Sequence, residues 1–346
     1  MRSGGISTLN MTYMLRYSIT SSQLDLSKAQ TELASGRLAD VGLTLGSNTG
    51  RDLLWRAQIA ELQQFSDRNK LAGVQADVTQ SALGAMRDLA NTFLETLTGA
   101  RGAFHGQEVA KSAAKSALVQ LTALLNTTHD GQYIFGGTNS GTAPIADYAT
   151  GTAKTSVDTA FAAAFGIAQN DPAVVNITAA NMQAFLDTQF TSLFDATGWP
   201  ANWSSAADEL LMARVDSTQR VPVNASANSD AIRQLVQAIT MVAELGTPAL
   251  NQTTFETIAD KALSLTGAAV LGIGDEQSQL GISQNEISRA NERIELRLNA
   301  LTEDVQSVES VDKYEAATRV NSLMIQLETA YSLTGRIGRL SLLNYI

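Results

Sequence analysis

The chain has 346 residues, no cysteine and a formal net charge of −10 at pH 7, a length that fits two or three domains. The acidic balance leaves no broad basic surface of the kind nucleic-acid binding needs, and the lack of cysteine removes disulfides, thiolate metal sites and cysteine nucleophiles. No apolar run approaches the roughly 20 residues of a membrane span, and Met1–Asn10 holds one Arg and no apolar stretch, so neither membrane insertion nor a secretory signal peptide is expected.

Ile6, Leu9, Tyr13, Tyr17, Leu24 and Leu33 are spaced for a helix, closed at Ser35–Gly36, where Gly adopts the left-handed conformation cheaply. Alone such a helix is marginal, so it is expected to be mobile in a free subunit, unless it is simply the first helix of a globular domain. Gly42, Gly46 and Gly50 mark a connector. A phosphate loop needs four residues between its glycines and then Lys-Ser/Thr, and Gly46–Arg51 has neither the spacing nor the lysine.

Arg51–Leu97 carries the best heptads. One series is Trp55, Leu62, Asn69, Ala76, Leu83, Ala90 and Leu97, and its partner is Phe65, Ala72, Thr79, Met86 and Phe93, which predicts a coiled-coil seam. Asn69 either sits buried in that seam and fixes its register, or turns out to solvent. Gly99, Gly102 and Gly106 turn the chain into a helix over Glu108–Asn126, with Val109, Leu118, Leu121, Leu124 and Leu125 inward, running antiparallel to the seam helix. His129-Asp130-Gly131 reads as a turn, and Gln132–Gly137 as a short strand or hairpin arm.

Composition shifts near Thr138. Four of the five prolines fall in the next ninety residues, together with Phe161, Phe165, Phe185, Phe190, Phe194, Trp199 and Trp203, which predicts a separate, solvent-facing α+β domain over 139–228. Helices are expected near Val157–Ala168 and Ala179–Ala196, and paired strands near Leu210–Val215 and Gln219–Val223. A helix over Asp230–Leu245 follows, capped by Asn228/Ser229 and stopped by Gly246 and Pro248. Thr253 to Glu256 reads as a capping box, opening a helix with an irregularity near Gly272–Gly274. The last stretch, from Gln284, repeats Ile287, Ile294, Leu298, Leu301, Val305 and Val308, then Val320, Leu323, Leu327 and Tyr331. This is a long amphipathic helix re-phased near Val311–Glu315. A helix that long needs partners along its whole stripe, and the matching material is the other terminus.

Chemistry finds little support. His105 and His129 lie in turns without ligand spacing, no Gly-x-Ser-x-Gly elbow exists, and Asp275–Glu276 reads as a solvated face. No enzyme activity, cofactor or metal is expected. Trp199 and Trp203 leave open a secreted adhesin that binds glycans through the aromatic insert.

Five stretches resemble a known family. Gln30-Thr-Glu-Leu-Ala-Ser-Gly-Arg37 is similar to the "ELSSGRR" stretch of bacterial flagellins, and Tyr314–Arg319, Gln326–Tyr331 and Leu340–Ile346 resemble the family's C-terminal end. Asp130-Gly-Gln-Tyr-Ile-Phe-Gly-Gly137 and the ending Ser-Leu-Leu-Asn-Tyr-Ile346 resemble hook-associated junction proteins of the FlgL class more than filament flagellins. The 39–50 loop also lacks the charged "NSAxDD" turn common in flagellins. The resemblance implies a mainly α fold: a long helical bundle formed by both termini, with an inserted α+β outer domain. It divides the chain into 1–38 and 311–346, an inner coiled coil; 39–138 and 229–310, the surrounding rod; and 139–228, facing outward. It implies a secreted structural protein joining hook to filament, or alternatively a filament subunit. Such a protein is exported unfolded and partnered by copies of itself in a ring, an adjacent hook-associated protein and filament flagellin, with an export chaperone. Ile6, Leu9, Tyr13, Tyr17, Leu323, Leu327, Tyr331, Leu340 and Leu343 are the expected assembly residues. Trp55, Leu62, Phe65, Asn69, Leu83, Met86 and Phe93 are the expected rod seam.

Overall fold

The computed structural model describes residues 8–245 and 248–343. Helices dominate it: α1 (Thr8–Ser35), α2 (Val41–Leu45), α3 (Thr49–Ala100), α4 (Gly106–Leu125), α5 (Thr152–Phe165), α6 (Ala179–Phe185), α7 (Gly198–Asn202), α8 (Asp230–Thr240), α9 (Gln252–Glu309) and α10 (Lys313–Leu343). Two small antiparallel hairpins accompany them, β1 (Thr128–His129) with β2 (Gln132–Tyr133), and β3 (Met212–Arg214) with β4 (Arg220–Pro222). The fold is mainly α, with long terminal helices, as the resemblance implied.

The chain forms two compact units, a terminal one of Met1–Gln64 and Ile294–Ile346 and a central one of Phe65–Arg293. A shared core crosses the positions 138/139 and 228/229, where boundaries are expected from the sequence. One hydrophobic cluster joins Leu83, Met86 and Phe93 of α3, Leu121 of α4, Phe161 of α5, Phe190, Trp199, Ile232 of α8 and Phe255 of α9. The aromatic segment is thus a third layer over the helices. Its rings run in sequence, Phe161–Phe185 at 5.9 Å, Phe185–Phe190 at 5.8 Å, Phe190–Phe194 at 5.1 Å, Phe194–Trp203 at 5.1 Å and Trp199–Trp203 stacked at 5.6 Å, within the range of favourable ring pairs. Trp199 and Trp203 are 1% and 3% exposed. Their faces are occupied by each other and by phenylalanines, which removes the basis of the glycan-binding reading.

On α3 of the central unit the heptad positions Asn69, Ala72, Ala76, Thr79, Leu83, Met86, Ala90, Phe93 and Leu97 are all buried, with Ala82 and Ala100 beside them. Asn69 lies in the seam, not in solvent. Its amide donates to Val215 O and Asn291 Oδ1, both at 3.0 Å. It thereby ties the β3–β4 hairpin to α3 and α9, where Val215, Val221 and Val223 pack with Ala72, Ile287 and Ala290. Phe65 is half-buried under the Arg214 guanidinium, 5.8 Å from the ring.

Several local expectations change. The 39–50 connector contains α2, because Asp40 accepts from Leu43 N at 3.1 Å and caps it. Val109 is exposed, since it sits one residue, or about 100°, off the inward line Ala110, Ala114, Ala117, Leu121. The arm at 132–137 is a strand only for its first two residues, after which Ile134 and Phe135 turn into the core. Asn251, not Thr253, caps α9, accepting from Thr254 N at 2.9 Å. No irregularity occurs at Gly272–Gly274, because α9 is continuous there. Gly272 instead lets α8 approach, as a Cβ there would stand 2.7 Å from Ala231 Cβ. Ser229 caps α8 as expected, accepting from Ile232 N, whereas the stop at Gly246 lies outside the described residues.

Candidate assembly interface

The terminal unit is held by two seams and a polar knot. In the first seam α1 lies antiparallel to α10. Partly or fully buried positions on α1 are Leu15, Ile19, Ser22, Leu26, Ala29 and Leu33. On α10 they are Ala316, Val320, Leu323, Leu327, Ala330 and Thr334. Both sets alternate steps of four and three, the spacing of a coiled coil. Ser22, Ala29, Ala316, Ala330 and Thr334 are small, so the seam is narrow. In the second seam Trp55, Ile59 and Leu62 of α3 and Ile294, Leu298, Leu301, Val305 and Val308 of α9 are likewise the sheltered positions.

The knot lies where both chain ends break. Gly36, at φ +70°, ends α1, and α9 gives way to α10 at Ser310–Asp312, within a residue of the expected site. The breaks are stitched together: Leu38 N donates to Glu309 O at 2.9 Å and Val311 N to Gly36 O at 3.0 Å. Three carboxylates are buried around this stitch, Glu32, Asp52 and Glu309. Arg56 donates to Glu309 and, at 3.0 Å, to Asp52. Those two hydrogen bonds, Glu309's first, hold its guanidinium above the usual arginine range. Arg37 stands 4.0 Å from Glu309. Arg319 bridges Glu32 at 3.3 Å and Glu315 at 2.9 Å, while Ala39 N donates to Glu32 Oε1 at 3.2 Å. The sequence signal for this knot, acids and arginines flanking two helix breaks, was present and went unread.

Outside the seams the helices keep uncovered apolar side chains. Tyr13, Met14, Tyr17 and Leu24 of α1 are exposed, Tyr17 by 80%. So are Tyr314, Met324, Ile325, Tyr331 and Leu333 of α10, Tyr314 by 87%. Tyr13, Tyr17 and Leu24 share one face of α1, and Met324 with Tyr331, seven apart, share one face of α10. Leu43, Leu53, Leu54 and Leu296 add to the exposed set.

The expected assembly residues therefore divide. Tyr13 and Tyr17 are outward, and Tyr331 stands at the edge of the seam, half-exposed, where its hydroxyl accepts from Gln23 Nε2 of α1. Leu323 is half-buried and Leu327 is 6% exposed; both face α1 within the chain. Leu9 lies on α1, and Leu340 and Leu343 on α10; Ile6 lies outside the described residues. Each terminal helix carries two apolar stripes, one for its partner in the chain and one left uncovered. On α1 the sequence reading followed mainly the uncovered one. Met14, Tyr314, Met324, Ile325 and Leu333 were missed because they fall between the heptad positions that were counted.

Among the described residues no helix is long and apolar enough to cross a membrane, and no group of three or more His, Asp or Glu side chains converges as metal ligands would.

The bacterial flagellin N-terminal helical region matches residues 6–140, and the bacterial flagellin C-terminal helical region matches residues 263–346. None of the curated proteins matches the chain. Among solved structures, a putative flagellar hook-associated protein from Vibrio parahaemolyticus is similar, with a TM-score of 0.53 and 9% identity over 76% of this chain and 97% of that one. Flagellar hook associated protein-3 from Legionella pneumophila is similar with a TM-score of 0.52 and 12% identity, over 74% of this chain and 98% of that one. At such identities the likeness is one of fold.

Proposed function

Because this chain belongs to the bacterial flagellin family, and so is a structural component of the flagellum, we propose that it is the junction subunit joining hook to filament. The observation that carries its self-assembly is the second apolar stripe on each terminal helix. Tyr13 and Tyr17 on α1, and Tyr314 and Ile325, eleven apart on one face of α10, lie uncovered in one chain, while the inner stripes are already paired. Burying apolar surface contributes about 25 cal/mol per Å², so neighbouring copies gain most by covering these faces. The junction position, rather than the filament, is supported by the Asp130–Gly137 stretch and by the shared fold of two hook-associated proteins.

In this reading copies of the chain pack side by side through α1 and α10 as a ring. A hook-associated protein lies on one side and filament flagellin on the other. Export through the flagellar channel, with a chaperone covering the terminal helices beforehand, completes the proposal. It assigns the chain no reaction.

Immunogold labelling of intact flagella tests the position. A junction subunit gives one spot beside the hook on each flagellum. Label along the whole filament would replace the junction reading with the filament one, and no label on flagella would remove both.

A further inference from the structure

One cleft of the central unit is explained neither by core packing nor by assembly. It has a volume of about 380 Å³ and lies among α7, the Pro222–Ser229 loop, the start of α8 and the middle of α9, a size typical of small-molecule sites. Leu83, Pro200, Leu210, Pro222 and Leu280 give it apolar walls, with Trp199 at the base.

Most polar groups around it are engaged within the protein. Asn224 accepts from Leu211 N at 2.7 Å and donates to Gly137 O at 3.0 Å. Asn228 accepts from Trp199 Nε1 at 2.9 Å and Ser204 Oγ at 2.6 Å, and donates to Ala206 O at 2.9 Å and Asp208 at 2.7 Å. The one base in the wall, Arg233, is paired with Asp230 and donates to Phe194 O at 3.3 Å, with its Nε left unpartnered.

Glu276 is different. The sequence reading put it on a solvated face with Asp275, but only Asp275 is exposed, whereas Glu276 is half-buried in the cleft wall. One of its carboxylate oxygens is shielded from solvent with no hydrogen-bond partner. Burial pushes this carboxyl above the usual range; the Ser229 hydroxyl opposes the shift and the charge of Asp230 adds to it. A carboxylate drawn partly out of water without a counter-ion is costly, and a cation brought to it recovers that cost.

We propose that this cleft binds a primary ammonium group carried on a short apolar stem, with the ammonium at Glu276 and the stem along Leu83, Leu280 and Pro222. The ammonium belongs either to a free amine or to a lysine side chain of a neighbouring polypeptide.

Titration of the full chain with n-hexylamine, n-hexanol and N-acetyl-lysine methylamide, followed by nuclear magnetic resonance shifts, tests this. Hexylamine should bind about tenfold more tightly than hexanol, a gap expected for one charge-assisted contact. Glu276→Gln should bring the amine down to the alcohol, with a melting temperature no lower than that of the unsubstituted chain. Binding of hexylamine alone assigns the site to free amines, and binding of the lysine derivative as well assigns it to a lysine side chain. Equal binding of amine and alcohol, or an amine affinity unchanged by Glu276→Gln, overturns the proposal. Should that variant not fold, the unsubstituted chain decides. Shifts at the Trp199 indole and Leu280 support the site, while shifts elsewhere, or none at millimolar amine, reject it.

Discussion

The helices α3 and α9 contribute to both units, and the two units finish them differently. In the central unit their apolar positions are covered by α4, α8 and an aromatic layer, and Phe161, Phe185, Phe190, Phe194, Trp199 and Trp203 are all buried. In the terminal unit they meet each other along one seam, and tyrosines, methionines and isoleucine of α1 and α10 stay outside. The same heptad logic gives a completed core in one place and an unfinished one in the other. Buried core is therefore concentrated in the central unit, and the proposed association draws on the terminal unit.

Substitutions separate the two roles, beginning with the largest effect. Phe190→Ala removes a fully buried ring at the centre of the aromatic layer and should lower the stability of the central unit by about 3–5 kcal/mol, read by denaturant unfolding. Glu309→Ala strips the knot of its most buried carboxylate, leaving Arg37 without its partner and Arg56 with Asp52 alone. A loss of about 1–3 kcal/mol is expected, with faster amide exchange at Leu38 and Val311 and no change near Phe190. Asn69→Ala leaves Val215 O without its donor and should cost about 1–2 kcal/mol, with exchange rising first in the β3–β4 hairpin.

Acid should loosen that hairpin too. Asp216 accepts from Thr218 N and Gln219 N, each at 2.8 Å, and from Arg293 at 3.2 Å. The hydrogen bond from Thr218 leads in holding its carboxyl below the usual range. A depressed carboxyl stabilises the fold above its unfolded pKa of about 3.9 and loses that contribution as pH falls through the lower folded value. Hairpin amide protection should hold from neutral pH down to about 4 and decline below it.

Much of this was legible in the residues. The α3 and α9 stripes were read position by position, because an unbroken heptad leaves one choice of inward face. The helix break near residue 311 and the β3–β4 pair were also legible. The α1 seam was not, because Tyr13, Tyr17 and Leu24 compete with Leu15, Ile19 and Leu26, and the two tyrosines are the larger residues. Periodicity gives the stripe but not which of two stripes a partner takes. The aromatic segment was read as a domain of its own because composition changes there. Which core its rings join depends on contacts distant in sequence, such as Trp199 with Asn228 and Phe161 with the helix layer.

The account rests on the outward stripe being an interface and not a structural need of the single chain. A doubly substituted chain, Tyr17→Ser with Ile325→Ser, tests this most directly, through its own unfolding curve and its incorporation into flagella. Both positions are solvent-facing, so its unfolding free energy should stay within about 0.5 kcal/mol of the original while incorporation is lost. Incorporation at the original level, or unfolding that tracks the loss of assembly, would contradict the account.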